Sequence, residues 1–177
     1  MRVHLLFLML SAGCLVRAAE PGASAVPLAA CAPQVFAPDV ISGPDHDAAP
    51  AFSRDGRSVW FSRSDATRST ILESHRDGEH WSAPRTASFS GRWNDMEPAM
   101  SPDGRFLVFV SNRPADGAGP PLDGFFMGKS FPGGGGNLWR VDRVGAGWGT
   151  PVRLPEAINA SASTFAPSLA ADGWSRR

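Results

Sequence analysis

The chain has 177 residues, 42% of them hydrophobic, which is enough for one domain with a real core. Seventeen basic residues balance 17 acidic ones, and this excludes a broad electrostatic attraction to nucleic acid or to an anionic membrane. Nineteen Gly and 16 Pro, with no long stretch of 3.6-residue apolar period, place the chain in the all-β class.

Residues 1–18 read as an export signal. Met1 to His4 is short and basic, Leu5 to Val16 is apolar but too short to span a bilayer, and Val16-Arg17-Ala18 offers a cleavage site after Ala18. A buried N-terminal strand is the competing reading. Ser11-Ala-Gly-Cys14 resembles a lipoprotein processing box, with Ser11 where Leu is preferred, so Cys14 is a candidate for acylation. The expected location is periplasmic or secreted, with a membrane-tethered lipoprotein as the alternative and no transmembrane span in the mature chain. Cleavage after Ala18 leaves Cys31 without an intramolecular partner, which rules out a disulfide framework and a Cys-based metal site.

Residues 19–33 are small, Pro-interrupted and without period, as in a linker. Within 34–46, Gln34 to Ile41 is the first strand candidate, a rim strand and lead-in. It is similar to Arg85 to Phe89 and to Arg153 to Ile158.

The organising feature follows. Pro50, Ser53, Asp55, Gly56, Arg57, Val59 and Phe61 recur 48 residues later as Pro98, Ser101, Asp103, Gly104, Arg105, Leu107 and Phe109. A further 69 residues on, Pro167, Ala170, Asp172 and Gly173 begin a third copy. Asp-Gly between apolar runs marks a tight turn, because Asp bonds its own backbone and Gly accepts positive φ. The apolar, β-branched run after each turn predicts a strand buried on both faces. Thr70 to His75 and Asn137 to Asp142 predict third strands, while Trp81-x-x-Pro84 and Trp148-x-x-Pro151 predict fourth strands held at an edge by prolines that lack an N–H. Residues 47–94 form one four-stranded unit and 95–162 a second, with a Gly- and Pro-rich loop inserted at 114–136 between its second and third strands. Residues 163–177 start a third unit that stops inside its hairpin.

Pro50-Ala-Phe-Ser-Arg-Asp-Gly-Arg-Ser-Val-Trp-Phe-Ser62 and Pro98-Ala-Met-Ser-Pro-Asp-Gly-Arg-Phe-Leu-Val-Phe-Val110 resemble the TolB-like, WD-like β-propeller repeat of bacterial envelope proteins. The resemblance covers roughly residues 34–173. It implies a partial β-propeller of four-stranded antiparallel blades, with the first strand of each near the central channel and the fourth at the rim. Closed propellers use about four to eight blades, so a fragment of a longer propeller is expected, or edge-to-edge self-association that closes a ring.

For function, the resemblance implies an exported, non-catalytic scaffold binding protein or peptide partners. The alternatives are the N-terminal propeller part of a prolyl-oligopeptidase-type hydrolase and a sugar- or metal-binding propeller. Asp45, His46 and Asp47, and Asn94, Asp95 and Glu97, precede the first strand of a blade. They would lie at one mouth of the channel, where carboxylates bind a cation or a basic peptide, unless they merely cap turns. His46, His75 and His80 lack zinc spacing. Gly133 to Gly136 lacks the Lys-Ser/Thr of a phosphate loop, no Gly-x-Ser-x-Gly elbow occurs, and Ser53 to Trp60 departs from the sialidase Asp-box. Asn159-Ala-Ser161 is a sequon by letter. No catalytic residue, cofactor or nucleic-acid partner is expected, and the Trp and Phe residues are expected to pack blade against blade.

Overall fold

The computed structural model describes residues 32–170. The chain divides into a unit at Met1–Gln34 and a unit at Val35–Arg177, and the strands belong to the second. The expected export signal and most of the linker, with Cys14 and Cys31, lie outside the described residues, as do Asp172 and Gly173 of the third copy.

The molecule is all-β, a partial β-propeller of two four-stranded antiparallel blades. In blade 1, β1 (His46–Phe52), β2 (Ser58–Ser64) and β3 (Ser69–Asp77) run in order to a rim made of β4 (His80–Trp81) and β5 (Arg85–Thr86), both paired with β3. In blade 2, β6 (Asp95–Met100) and β7 (Phe106–Ser111) precede an inserted hairpin, β8 (Gly124–Phe126) and β9 (Lys129–Phe131). Then come β10 (Asn137–Val144) and a rim of β11 (Gly147–Trp148) and β12 (Val152–Arg153), again both paired with β10. Each rim strand breaks in two at its proline, Pro84 or Pro151, because a ring nitrogen cannot donate to the ladder.

The Asp-Gly turns are the same object twice. The Ser53 hydroxyl donates to Asp55 Oδ1 (2.6 Å) and accepts from the Ser58 N–H (2.9 Å), and Asp55 Oδ1 also accepts the Arg57 N–H (3.0 Å). In blade 2 the Ser101 hydroxyl donates to Asp103 Oδ1 (2.8 Å) and accepts from Phe106 N–H (3.0 Å), with Arg105 N–H on Asp103 Oδ1 (3.1 Å). Gly56 and Gly104 take φ of 68° and 72°, the left-handed region that a Cβ disfavours. The serine is therefore as much a part of the turn as the Asp-Gly pair.

Side-chain alternation decides what each blade buries. Leu107 and Phe109 of β7 face blade 1, where they meet Trp60, Ile71, Ala87 and Phe89 in the shared core with Trp139 and Val141. Trp148 adds edge-to-face contacts to Trp60 (5.4 Å between centroids) and Phe89 (5.8 Å). The equivalents of Leu107 and Phe109 in blade 1, Val59 and Phe61, face away from blade 2 and pack with Ile41. On the opposite side, Val108, Val110 and Leu138 form a third cluster with Phe106, Leu154, Ile158 and Leu169. Each large side chain so buried contributes about 1.5–3 kcal/mol.

Two sequence expectations are corrected. Gln34 to Ile41 is not a rim strand: Ala37 and Asp39 take positive φ (41° and 63°), and the Ala37 carbonyl collects the N–H groups of Val40, Ile41 and Ser42 in a tight turn. The segment instead lays Phe36 against Phe52 and Trp81. The insertion is not a plain loop either, since it contains the β8–β9 hairpin. Gly124 and the run Gly134 to Gly136 are packed: a Cβ on Gly136 would lie 2.6 Å from Val110 Cγ1 and 2.9 Å from the Phe165 ring.

A second repeated device sits in the first strand of each blade. The residue before the repeat proline takes positive φ at Ala49 (50°), Glu97 (53°) and Ala166 (56°), three non-glycine residues at equivalent positions. In β1 and β6 this residue makes a bulge. The freed Glu97 N–H donates to Ser62 Oγ of blade 1 (2.8 Å), and the Ala166 N–H donates to Glu97 Oε2 of blade 2 (2.6 Å).

Candidate functional site

The antiparallel register brings the candidate residues to one end of the blades. Asp95 pairs with Ser111 and Asn137 pairs with Ser111 from the other side, so the start of β6, the end of β7 and the root of the insertion share an edge. In blade 1, His46 pairs with Ser64 and Ser64 with Ser69, which gives the same edge there.

The aspartates on this edge are bound to arginines. Asp95 is completely buried; Arg113, itself buried, donates Nη2 to Asp95 Oδ1 (2.7 Å) and to the Phe89 carbonyl (3.2 Å), and Nε to Ser111 Oγ (2.8 Å). Ser90 Oγ donates to the second Asp95 oxygen (2.9 Å), and the guanidinium lies 5.1 Å from the centres of both the Phe109 and Trp139 rings. A buried charge persists only when paired and hydrogen-bonded in this way.

Blade 1 repeats the pattern at the equivalent aspartate. Arg63 donates Nε and Nη2 to Asp47 (2.7 and 2.9 Å) and Nη2 to the Ile41 carbonyl (2.8 Å), with Asp45 at 3.4 Å. Ile41 and Phe89 are one 48-residue period apart, as are Asp47 and Asp95, so aspartate, arginine and lead-in carbonyl form a repeated clasp. The neighbouring Asp47 carboxylate holds the Arg63 guanidinium above its ordinary pKa.

His46 is exposed, and Asn94 ties blade to blade: its Oδ1 accepts the Ser69 N–H (2.6 Å) and its own N–H donates to Asn112 Oδ1 (2.9 Å). Glu97 accepts from Ala166 N–H, as described. The structure thus gathers Asp45 and Asp47 around Arg63, places Asp95 in the interior, and turns Glu97 toward the third copy. Among the described residues, no group of three or more His, Cys, Asp or Glu is arranged to hold a metal ion. Asn159 of the sequon is fully buried, accepting Leu138 N–H (2.7 Å) and donating to the carbonyls of Leu138 (3.0 Å) and Leu154 (2.9 Å).

Sequence reasoning did not single out Arg63, Arg113 or a third cluster between the blades. There buried Glu73 accepts from Trp60 Nε1 (3.0 Å) and Arg85 Nε (3.0 Å), His75 Nδ1 is 2.9 Å from Ser58 Oγ, and Arg143 lies over Trp148 (4.5 Å to the ring centre). Their letters carry no motif; only the blade-to-blade packing brings them together.

The outer faces of the two blades are grooved. A groove of about 670 Å³ runs over the far face of blade 2, floored by Phe106, Val108 and Leu138 and walled by Leu154, Ile158 and Leu169. A smaller one of about 280 Å³ lies on the face of blade 1 turned away from blade 2, between Phe36, Ile41, Phe52, Val59 and Phe61. The segment Pro167 to Ala170 forms part of the wall of the larger groove.

No family model matches the chain, and no curated protein matches it. Among solved structures it is similar to that described as the crystal structure of TolB from Acinetobacter baumannii, at 25% identity with a TM-score of 0.44. The match covers 71% of this chain and 24% of that chain. No helix among the described residues is long and apolar enough to cross a membrane.

Proposed function

We propose that this chain is an exported, non-catalytic scaffold of the TolB-like propeller kind, which binds an extended apolar segment of a protein or peptide partner on the far face of blade 2. The observation that carries the reading is the 670 Å³ groove, with its floor of Phe106, Val108 and Leu138. An apolar-lined cleft of this volume lies within the range of ligand-binding pockets. Pro167 to Ala170 borders the groove and packs Leu169 against the cluster of Val108, Val110 and Leu138, the kind of contact a partner's apolar side chain would extend. The polar clusters supply no competing reading, because Asp95, Asp47 and Glu73 are each engaged by an arginine of the same fold.

The test is fluorescence polarisation with labelled extended peptides of alternating Leu/Val and polar residues, against wild type, Ile158→Asp and Leu169→Asp. Saturable binding that both variants weaken at least about tenfold, the cost of one charge placed in an apolar contact, supports the reading. Equal binding of a scrambled polar peptide, or insensitivity to both variants, removes it. Export is checked separately by fractionating cells that express the full chain.

A further inference from the structure

The β8–β9 hairpin stands apart from the three core clusters and carries the most exposed apolar side chains of the insertion. Met127 is 84% exposed, Phe126 67%, Phe125 65% and Phe131 47%. In its register Phe126 pairs with Lys129 and Phe125 with Ser130. Pairing places Phe126, Lys129 and Phe131 on one face of the ribbon and Phe125 on the other. Met127 and Gly128 both take positive φ (50° and 76°), as a two-residue hairpin turn of matching twist requires, and this puts Met127 at the tip.

The root is fixed while the tip is free. Ser163 Oγ accepts the Phe125 N–H (3.1 Å) and donates to the Phe125 carbonyl (3.3 Å), and Asp123 accepts the Gly133 N–H (2.8 Å). Between Gly124 and Gly136 the chain has no acidic residue, and its one charge is Lys129, the only lysine in the sequence. A cluster of four exposed apolar side chains at one protrusion is not ordinary surface scatter.

Shape selects the partner. A rigid protein groove covers one face of a two-stranded ribbon, but here exposed apolar side chains stand on both faces and at the tip, and a medium that closes around the protrusion covers all three. We propose that the Phe125–Phe131 hairpin inserts its tip into the interfacial region of a phospholipid bilayer, with the Lys129 ammonium among anionic headgroup phosphates. Phe125, Phe126 and Met127 enter the acyl boundary, while the lysine stem lies along the apolar tip and its charge stays at headgroup level. The site is separate from the blade 2 groove and does not depend on its occupant.

The experiment follows backbone amide hydrogen exchange of the full chain with and without vesicles, because Leu5 to Val16 is itself apolar and bulk sedimentation would not locate the contact. With vesicles of mixed phosphatidylcholine and phosphatidylglycerol, the amides of Met127 to Ser130 become protected, and Phe125→Ser/Phe126→Ser abolishes this protection. Lys129→Ser weakens the protection about fivefold on mixed vesicles, the effect of one basic residue at an anionic surface, and leaves it unchanged on pure phosphatidylcholine. The variants lie outside the core and keep the wild-type melting temperature. Hairpin amides that exchange equally with and without vesicles overturn the proposal. So does protection that survives in the double variant, or protection that arises without lipid as protein concentration rises, which would make the tip a contact between copies.

Discussion

Asp47 and Asp95 occupy the same position of the same repeat, yet one side chain is 18% exposed and the other is wholly buried. The difference does not lie in the blades themselves. In each blade the first-strand aspartate faces the preceding neighbour; for Asp95 that neighbour is blade 1, whereas for Asp47 it is the short lead-in around Ile41. The repeat therefore specifies a direction, and the neighbour specifies the dielectric. The same rule explains why Val59 and Phe61 line a groove on blade 1 while Leu107 and Phe109 lie in the shared core.

The sharpest test of this contrast removes each arginine. Arg113→Ala leaves the Asp95 carboxylate buried without a counter-charge, held only by the Ser90 hydroxyl, and should lower stability by roughly 3–5 kcal/mol. Arg63→Ala exposes Asp47 to water and should lower it by about 1 kcal/mol. Urea denaturation of the two variants measures both, and equal losses would break the comparison. Next in size is Gly136→Ala, whose Cβ meets Val110 and Phe165; overpacking there should cost about 1–3 kcal/mol. The equivalent position in blade 1 is Ser69, which already carries a side chain bonded to Ser64 Oγ, so Ser69→Ala is expected to be the milder change in the same assay.

The smallest expected effect concerns the two turns. Bonds from Ser101, then from the Arg105 backbone and side chain, lower the Asp103 pKa from 3.8 to about 2. The Asp55 carboxyl is also lowered, chiefly by the Ser53 hydroxyl and then by the Arg57 N–H, but no Arg57 side chain bonds to it. A carboxylate depressed in the folded state stabilises the fold above its unfolded pKa and loses that contribution as pH falls through the folded value. Asp103→Asn should therefore flatten the melting-temperature profile between pH 3.8 and about 2, and Asp55→Asn should flatten it less.

Much of the fold was legible because hairpin chemistry is local. Ser-x-Asp-Gly-Arg followed by an apolar run carries its whole turn in adjacent letters, and two-faced burial follows from the consecutive apolar residues Val59 to Phe61 in β2 and Phe106 to Val110 in β7. What was not legible depends on neighbours. Asp95 reads as a surface carboxylate until blade 1 is set against it. Its arginine was hidden further, because Arg63 lies within β2 while Arg113 lies two residues past the end of β7, off the 48-residue period. The lead-in at Gln34 to Ile41 is similar in sequence to the rim segments, but positive φ at Ala37 and Asp39, which neighbouring letters do not announce, turns it back. The hairpin tip was missed because Met-Gly is an unusual pair for that turn and the adjacent glycine run draws attention away from Phe125 and Phe126.

The bulge before each repeat proline has a consequence for how such a molecule changes length. Its liberated amide is received by a group on the blade before it: a Ser62 hydroxyl for Glu97, a Glu97 carboxylate for Ala166. Were a genetic deletion to remove one whole period, Ala166 would arrive beside Ser62 and find an oxygen already waiting. Gain or loss of a module thus strands no amide, and the count of modules is left open to recombination without a penalty at the seam.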